Sequence, residues 1–427
     1  MQNKTIFILS FLIILSSAVA AQKQVNSPYS RFNIGTLEPA GSFRSQGMGG
    51  LSISQRENTT LFFSNPASYS SIDTMSFVFD FGADYSISVI SSGDDSYQSD
   101  DMNFDHITFG FPIKKGFGIA VGVIPYSNAY YNISDEVKTT DPEYDPLIGE
   151  YLGTHKGVGG LSNFIIGTGL KLNKYVSAGI NMSVMFGEIT RNNDFFFRDY
   201  TNYIHHNSIE KFNVTGVNFD YGMQVTIPLA NDKFFNAGFS YTAGKEYSSG
   251  YEHFVYRYRY NSTAPDDTIP LATGNSEKMY IPGTVRTGVS FGKLNKLTAG
   301  IDFITTNWSE ARIPGSTGIV DDNKLMFGVE YTPEKYSNLS RLKRVDYRLG
   351  GHIGKSYVTY NGAQVKETGI SAGFGIPMMR SLSEVNIYFD YTIRTGSAAA
   401  GLYNERYFTV GASMNLFDRW FLRPKYN

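Results

Sequence analysis

From Met75 to Ser88 apolar and aromatic residues (Met75, Phe77, Phe79, Phe81, Ala83, Tyr85, Ile87) alternate with polar or small ones (Ser76, Asp80, Gly82, Asp84, Ser86, Ser88), and Val78 alone breaks the rule. Period two marks a strand with one apolar face, and this run is far longer than the about 5 to 6 residues of an ordinary strand. It matches a tilted bilayer crossing, which takes about 9 to 11 residues.

The same alternation returns at Ile107–Ile113, Phe117–Val123, Phe164–Leu172, Val176–Phe186, Val217–Ile227, Phe235–Tyr241, Val285–Phe291, Leu297–Phe303, Leu325–Tyr331, Tyr347–Ile353, Ile370–Ile376, Val385–Ile393 and Phe408–Leu416, which makes fourteen strands. Every second connection is short, as at Lys114-Lys115-Gly116 and Asn173-Lys174, and pairs its strands into a hairpin. Between them lie long polar and aromatic connections, among them Asn128 to Gly160, Thr190 to Phe212 and Ala243 to Tyr280. Short turns on one side and long loops on the other are the asymmetry of outer-membrane barrels, and an even strand number returns both termini to the periplasm. The expected fold is all-β, a 14-stranded antiparallel transmembrane β-barrel over residues 73–427. A soluble sandwich would need strands about half this long.

A barrel of about 8 strands is filled by its own side chains, whereas 16 or more leave a channel. Fourteen strands therefore need a filler. Residues 21–72 supply one: Gly41 to Ile72 holds Gly47-Met48-Gly49-Gly50 and Ser64-Asn65-Pro66-Ala67-Ser68-Tyr69, is rich in turn formers, and cannot bury a core alone. It is expected to pack in the lumen as a plug (hatch), with Phe62 and Phe63 beside Asn65-Pro66.

Composition supports export. Lys4, the apolar run Ile6 to Leu15 and the small residues Ala18 and Ala20 read as a secretory signal peptide over residues 1–20, cleaved after Ala20 or Ala21. There is no Cys, so neither a lipid-anchor cysteine nor disulfides are available, and 30 Tyr, 32 Phe and 43 Gly stand where helical proteins carry Leu, Glu and Lys. A net charge of −2 gives no reason to expect a nucleic-acid partner. The expected location is the outer membrane, with outer-membrane lipid around the barrel.

Strand parity places Asp80, Asp84, Asp220, Asp302, Glu330 and Asp390 in the lumen with Arg286, Arg348, Arg394 and His352. These opposite charges are expected to pair and to hold the plug; the sharper alternative is a polar translocation path. Mixed signs argue against strong ion selectivity. No cofactor or metal is expected: His205-His206 and the acidic stretch Asp94-Asp95 with Asp100-Asp101 lack ligand spacing. Gly288-Val-Ser-Phe-Gly292 and Gly369-Ile-Ser-Ala-Gly373 fit a nucleophile-elbow pattern, but both lie within strands rather than on a strand-to-helix turn, so no enzyme is expected.

The Gly-rich segment, Asn65-Pro66-Ala67 just before the first strand, and the fourteen strands together resemble the FadL-type (OmpP/TodX-like) outer-membrane transporters of long-chain fatty acids and hydrocarbons. Ser27-Pro28-Tyr29-Ser30-Arg31-Phe32 and Asp418-Arg419-Trp420-Phe421 resemble a diverged branch. The resemblance implies a plugged barrel that passes a small hydrophobic ligand from an outer groove to an inner pocket and out through an interruption in the wall, with Asn65, Pro66 and Ala67 in the gate. Tyr126, Tyr130, Tyr131 and Phe195 to Phe197 could form an apolar entry surface, and Pro125 could break the ladder. The alternative is a FadL-like barrel that transports nothing and serves as partner subunit of an outer-membrane secretion or assembly machine, which would make other outer-membrane proteins its partners.

Overall fold

The computed structural model describes residues 27–39, 41–92, 95–142, 144–198, 204–259, 264–316, 318–378, 381–396 and 401–419. The expected leader and cleavage site, and Trp420-Phe421, lie outside these residues.

Eighteen strands among the described residues form one antiparallel sheet that closes on itself. After β1 (Thr36–Leu37) they are β2 (Ser76–Ser92), β3 (Asp95–Lys114), β4 (Phe117–Asn128), β5 (Tyr131–Val137), β6 (Tyr151–Lys171), β7 (Val176–Phe197), β8 (Ile204–Pro228), β9 (Lys233–Thr242), β10 (Lys245–Arg259), β11 (Asp267–Ile281), β12 (Thr284–Lys293), β13 (Leu297–Thr306), β14 (Asp322–Tyr331), β15 (Asp346–Tyr360), β16 (Ala363–Pro377), β17 (Glu384–Thr395) and β18 (Asn404–Arg419). Three staves of the wall are each built from two strands in line. The β4/β5 stave lies along β6, β9/β10 lies along β8, and β11/β12 pairs with β10 below its tip and with β9 beyond. The wall thus has fourteen staves, and β18 pairs with β2 from Asn404↔Ser91 to Arg419↔Ser76 to close it.

Side chains divide by parity as expected. Leu349, Ile370, Ile301, Phe303, Phe327, Phe291 and Phe408 are among the large apolar residues left exposed on the outside, a belt that only lipid can cover. Val78, the exception in the first strand, turns inward and is fully buried beside Leu61, Phe63 and Tyr69.

One expectation is corrected. The supposed long loops are largely strand: β5, β10, β11 and the upper parts of β6, β7 and β8 carry the wall beyond the lipid belt. Hydrophobic alternation cannot report them, because there both faces meet water or other protein. The N-terminal segment enters from the other end of the wall. Ser76 and Arg419 sit together at the tight-turn end, the periplasmic end of such barrels. Ser27, the first described residue, instead donates its hydroxyl to Glu405 at the far end of β18, about 46 Å of strand away.

From there the N-terminal segment descends inside the wall. Ser27 caps a 3-10 turn over Pro28–Arg31, β1 pairs with Ser127 and Asn128 of β4, and a one-turn helix α1 (Phe43–Gln46), capped by Ser42, follows. Gly49 and Gly50 then turn the chain with positive φ of 73° and 96°, where other residues are strained. Asn65 caps a second 3-10 turn, Pro66–Ser71, by accepting from the Ala67 N–H.

Candidate functional site: the lumen and its N-terminal segment

At several points the inward wall is bare glycine where this segment touches it. A Cβ on Gly350 would come within 3.0 Å of the Met48 and Gly49 backbone, on Gly238 within 3.0 Å of Ile53, and on Gly179 within 3.0 Å of Pro66. Backbone lies against backbone there, which only glycine permits. The glycines that alternate with apolar residues in the sequence therefore mark the lumenal track of the segment.

Polar anchors fix it at several points around the wall. The guanidinium of Arg44, on α1, reaches Glu330 at 2.5 Å and Glu57 at 3.2 Å. Glu330 also accepts from Arg348 Nε at 2.7 Å, and Arg348 goes on to Glu384 at 2.6 Å, Asp346 at 3.5 Å and Asn386 at 2.5 Å. Glu330 and Arg348 face each other across β14 and β15, so register alone brings them together. Asp302 accepts from the Ser52 and Ile53 N–H groups at 2.7 and 2.8 Å and from the Ser54 hydroxyl at 3.3 Å.

The two serines of the elbow-like motifs are also anchors: Ser290 donates to the Ser54 carbonyl at 3.2 Å, and Ser371 accepts from the Gly49 N–H at 2.7 Å. Asn65 donates to the Ile53 and Met223 carbonyls at 2.9 and 3.2 Å. Gln224 donates to the Ile53 and Gln55 carbonyls at 3.0 and 2.8 Å. Asn181 donates to the Phe63 carbonyl at 3.0 Å and accepts from Tyr69 at 3.1 Å. Pro66, Ala67 and Phe62 are buried beside these bonds.

The remaining residues named from parity also face inward. Asp80 lies 3.4 Å from His106, whose ring stands edge-on to Phe43. Asp220 accepts from Thr242 at 2.5 Å, and Thr242 accepts from Arg286 at 2.7 Å. His352 and Arg394 converge on Glu367 at 3.3 and 2.9 Å, with Lys324 at 2.7 Å; Thr392 donates to Asp390 at 2.6 Å. Arg44, Glu57, Glu367, Glu384 and Glu405 escaped the sequence reading. The first two lie in a segment without period, and the other three lie beyond the apolar alternation, at strand ends.

Beside the segment a cavity of about 410 Å³ remains. Its wall carries Glu38, Asp84, Asp105, Asp220, Asp322, Glu367 and Asp390 against Arg286, Lys324 and Arg394 among the described residues, so its charge is net negative, while Phe63, Ile124, Ile165, Met185, Ile281 and Trp308 give it apolar faces as well. Burial, with the Asp105 charge adding to it, pushes the Glu38 carboxyl up to about 7, so that it titrates around neutral pH. Tyr126 lines this cavity and Tyr131 is buried; neither forms an outer entry surface. Phe196 stacks on His205 at 4.2 Å.

A seam runs between β3 and β4. The β3–β4 ladder stops at Ile107↔Val123, although β3 continues along β2 up to Asp95. Above the stop β4 takes β1 as its neighbour, and the Glu38 N–H donates to the Tyr126 carbonyl at 3.0 Å. A register shift opposite Gly82 and Ala83 makes Asp105 a bulge that turns β3, and β4 slips at Pro125. Asn103 and Asp105 on one side of the seam and Tyr126 and Asn128 on the other belong to the cavity wall.

These features define a 14-stranded outer-membrane barrel of the FadL-like architecture. The structure is similar to the toluene transporter TodX of Pseudomonas putida (TM-score 0.55, 12% identity, 91% of this chain and 100% of that one), to the toluene transporter TbuX of Ralstonia pickettii (0.52, 12%, 90% and 99%) and to the monoaromatic hydrocarbon channel CymD (0.53, 12%, 92% and 99%). At such identities the likeness is one of fold. No curated protein matches the sequence. The family model BamG matches residues 1–427, and the chain belongs to the BamG family. The FadL-type resemblance therefore holds for the architecture, and the family is a different one.

Proposed function

We propose that this protein is a plugged barrel that transports nothing and works as a partner subunit of an outer-membrane assembly or secretion machine. The lumen carries this reading. The segment that fills it is tied to the wall by buried ion pairs and backbone hydrogen bonds, and removing one partner of a buried ion pair costs about 3 to 5 kcal/mol. The cavity left beside it sets charged side chains among its apolar ones, and a ligand without polar groups would desolvate those charges without return.

Membership of the BamG family supports partners among outer-membrane proteins. So does the longest connection at the tight-turn end, residues 332–345, which exposes Tyr336, Leu339 and Leu342 at 70%, 95% and 71%. Exposed apolar side chains of this size mark interaction surfaces. Purification from native membranes in mild detergent is expected to yield a stoichiometric complex that Leu339→Glu with Leu342→Glu weakens. A chain that elutes alone and speeds toluene entry into liposomes would sink the proposal.

A second reading, uptake of small hydrophobic molecules, is favoured by the seam between β3 and β4, through which a ligand could leave sideways. On that reading Asn65, Pro66 and Ala67 form the gate. Asn65→Ala would then change uptake with the barrel still assembled.

A further inference from the structure

The outer wall holds a cleft that neither reading uses. It lies where β9 gives way to β10 and β11 to β12, at Gly244 and Pro282-Gly283. Below it Tyr241 and Val285, register partners exposed at 39% and 36%, close the lipid-facing rows of β9 and β12. Above it the parity of β10 and β11 points Tyr247 and Met279 inward, both almost fully buried, and leaves Glu246 and Lys278 outside. The cleft, about 650 Å³, is lined by Lys245, Glu246, Ser248, Lys278, Tyr280 and Arg312.

Three cations thus line the cleft with one carboxylate, and two of them pair with it. Glu246 meets Lys278 at 3.2 Å and Arg312 at 3.1 Å. Arg312 is held in place by a two-way backbone pairing with Tyr280 (2.9 and 3.0 Å) and by lying over the Tyr280 ring at 5.0 Å. A net positive cleft on the outside of the wall, one or two residues above the lipid belt at the end opposite the tight turns, stands at the depth of outer-leaflet headgroups. Arginine and lysine are the natural partners of phosphate oxygens, Arg through its planar fork.

We propose that this cleft binds a phosphoryl group presented by an anionic lipid of the outer leaflet, with Lys245, Lys278 and Arg312 as its ligands. The full chain in detergent, mixed with phosphorylated lipid A or its dephosphorylated form and read by native mass spectrometry, tests it. The phosphorylated lipid should be retained preferentially. Lys245→Gln with Lys278→Gln and Arg312→Gln should lower retention on the order of a hundredfold, since each cation near a headgroup is worth about 1 kcal/mol. Lys278→Glu alone, at a side chain 76% exposed, should weaken binding while Lys278→Arg keeps it, with heat-modifiable gel migration showing that the barrel is intact. Equal retention of both lipids, or by the triple variant and the native chain, would overturn the site. Inorganic phosphate bound as tightly as the lipid would reassign it to free phosphate.

Discussion

Arg348 is 4% exposed and touches Glu330, Glu384 and Asp346 at once. Replacing it with methionine keeps much of the volume but takes the shared guanidinium from three carboxylates, leaving Glu330 to Arg44, Asp346 to Lys335 and Glu384 without its ion-pair partner, so Arg348→Met is expected to cost about 3 to 5 kcal/mol in equilibrium urea unfolding from lipid vesicles. Gly350→Ala probes a different contact at the same level. Its Cβ would strike the Met48 and Gly49 backbone, which cannot rotate away, so the segment must shift and planar-bilayer recordings should show openings absent from the native chain. A silent Gly350→Ala barrel would mean that the wall, not the segment, gives way. Parity was enough to place Asp302, Glu330 and Arg348 in the lumen, because a strand with one lipid face has no third choice. It could not reveal Arg44, whose segment obeys no period and takes its path from the glycines of the wall.

At the scale of elements, the fourteen crossings were legible because lipid demands an apolar residue at every second position. The overhang above the membrane carries no such demand, so β10 and β11 read as loop, and the leading role of β1 was invisible: two residues, Thr36 and Leu37, give no periodic signal yet occupy the edge of β4. On β3, the ladder with β2 runs over Ser96 to Phe104, whereas the ladder with β4 begins only at Ile107. Amides pointing into the seam should exchange with deuterium faster than their neighbours bonded to β2, an alternation visible by residue-resolved hydrogen exchange. Uniform protection along β3 would show that the seam is closed in the membrane.

The whole molecule is a closed wall around an internal segment, and the two can be separated by deletion. The closing ladder between β18 and β2 runs from Asn404↔Ser91 to Arg419↔Ser76 and involves no residue before Ser76, so a chain lacking residues 27–72 is expected to form the barrel. Fourteen strands without a filler enclose more than their own side chains can occupy, and a water-filled path should open. Its selectivity follows from what the deletion leaves. Without Glu38 the cavity wall still carries six carboxylates against three cations among the described residues, and although Glu57 leaves with the segment, so do Arg31, Arg44 and Arg56, which leaves Glu330 to Arg348 alone. The mixed signs seen in the sequence pointed to weak selectivity, but the added acids at strand ends, Glu367, Glu384 and Asp322 among them, shift the balance. Reversal potentials in a salt gradient should therefore show cation preference in the shortened barrel, while the native chain conducts little. If the shortened barrel stays closed, the wall itself collapses inward, and the N-terminal segment is a brace that keeps the lumen open rather than the plug that shuts it.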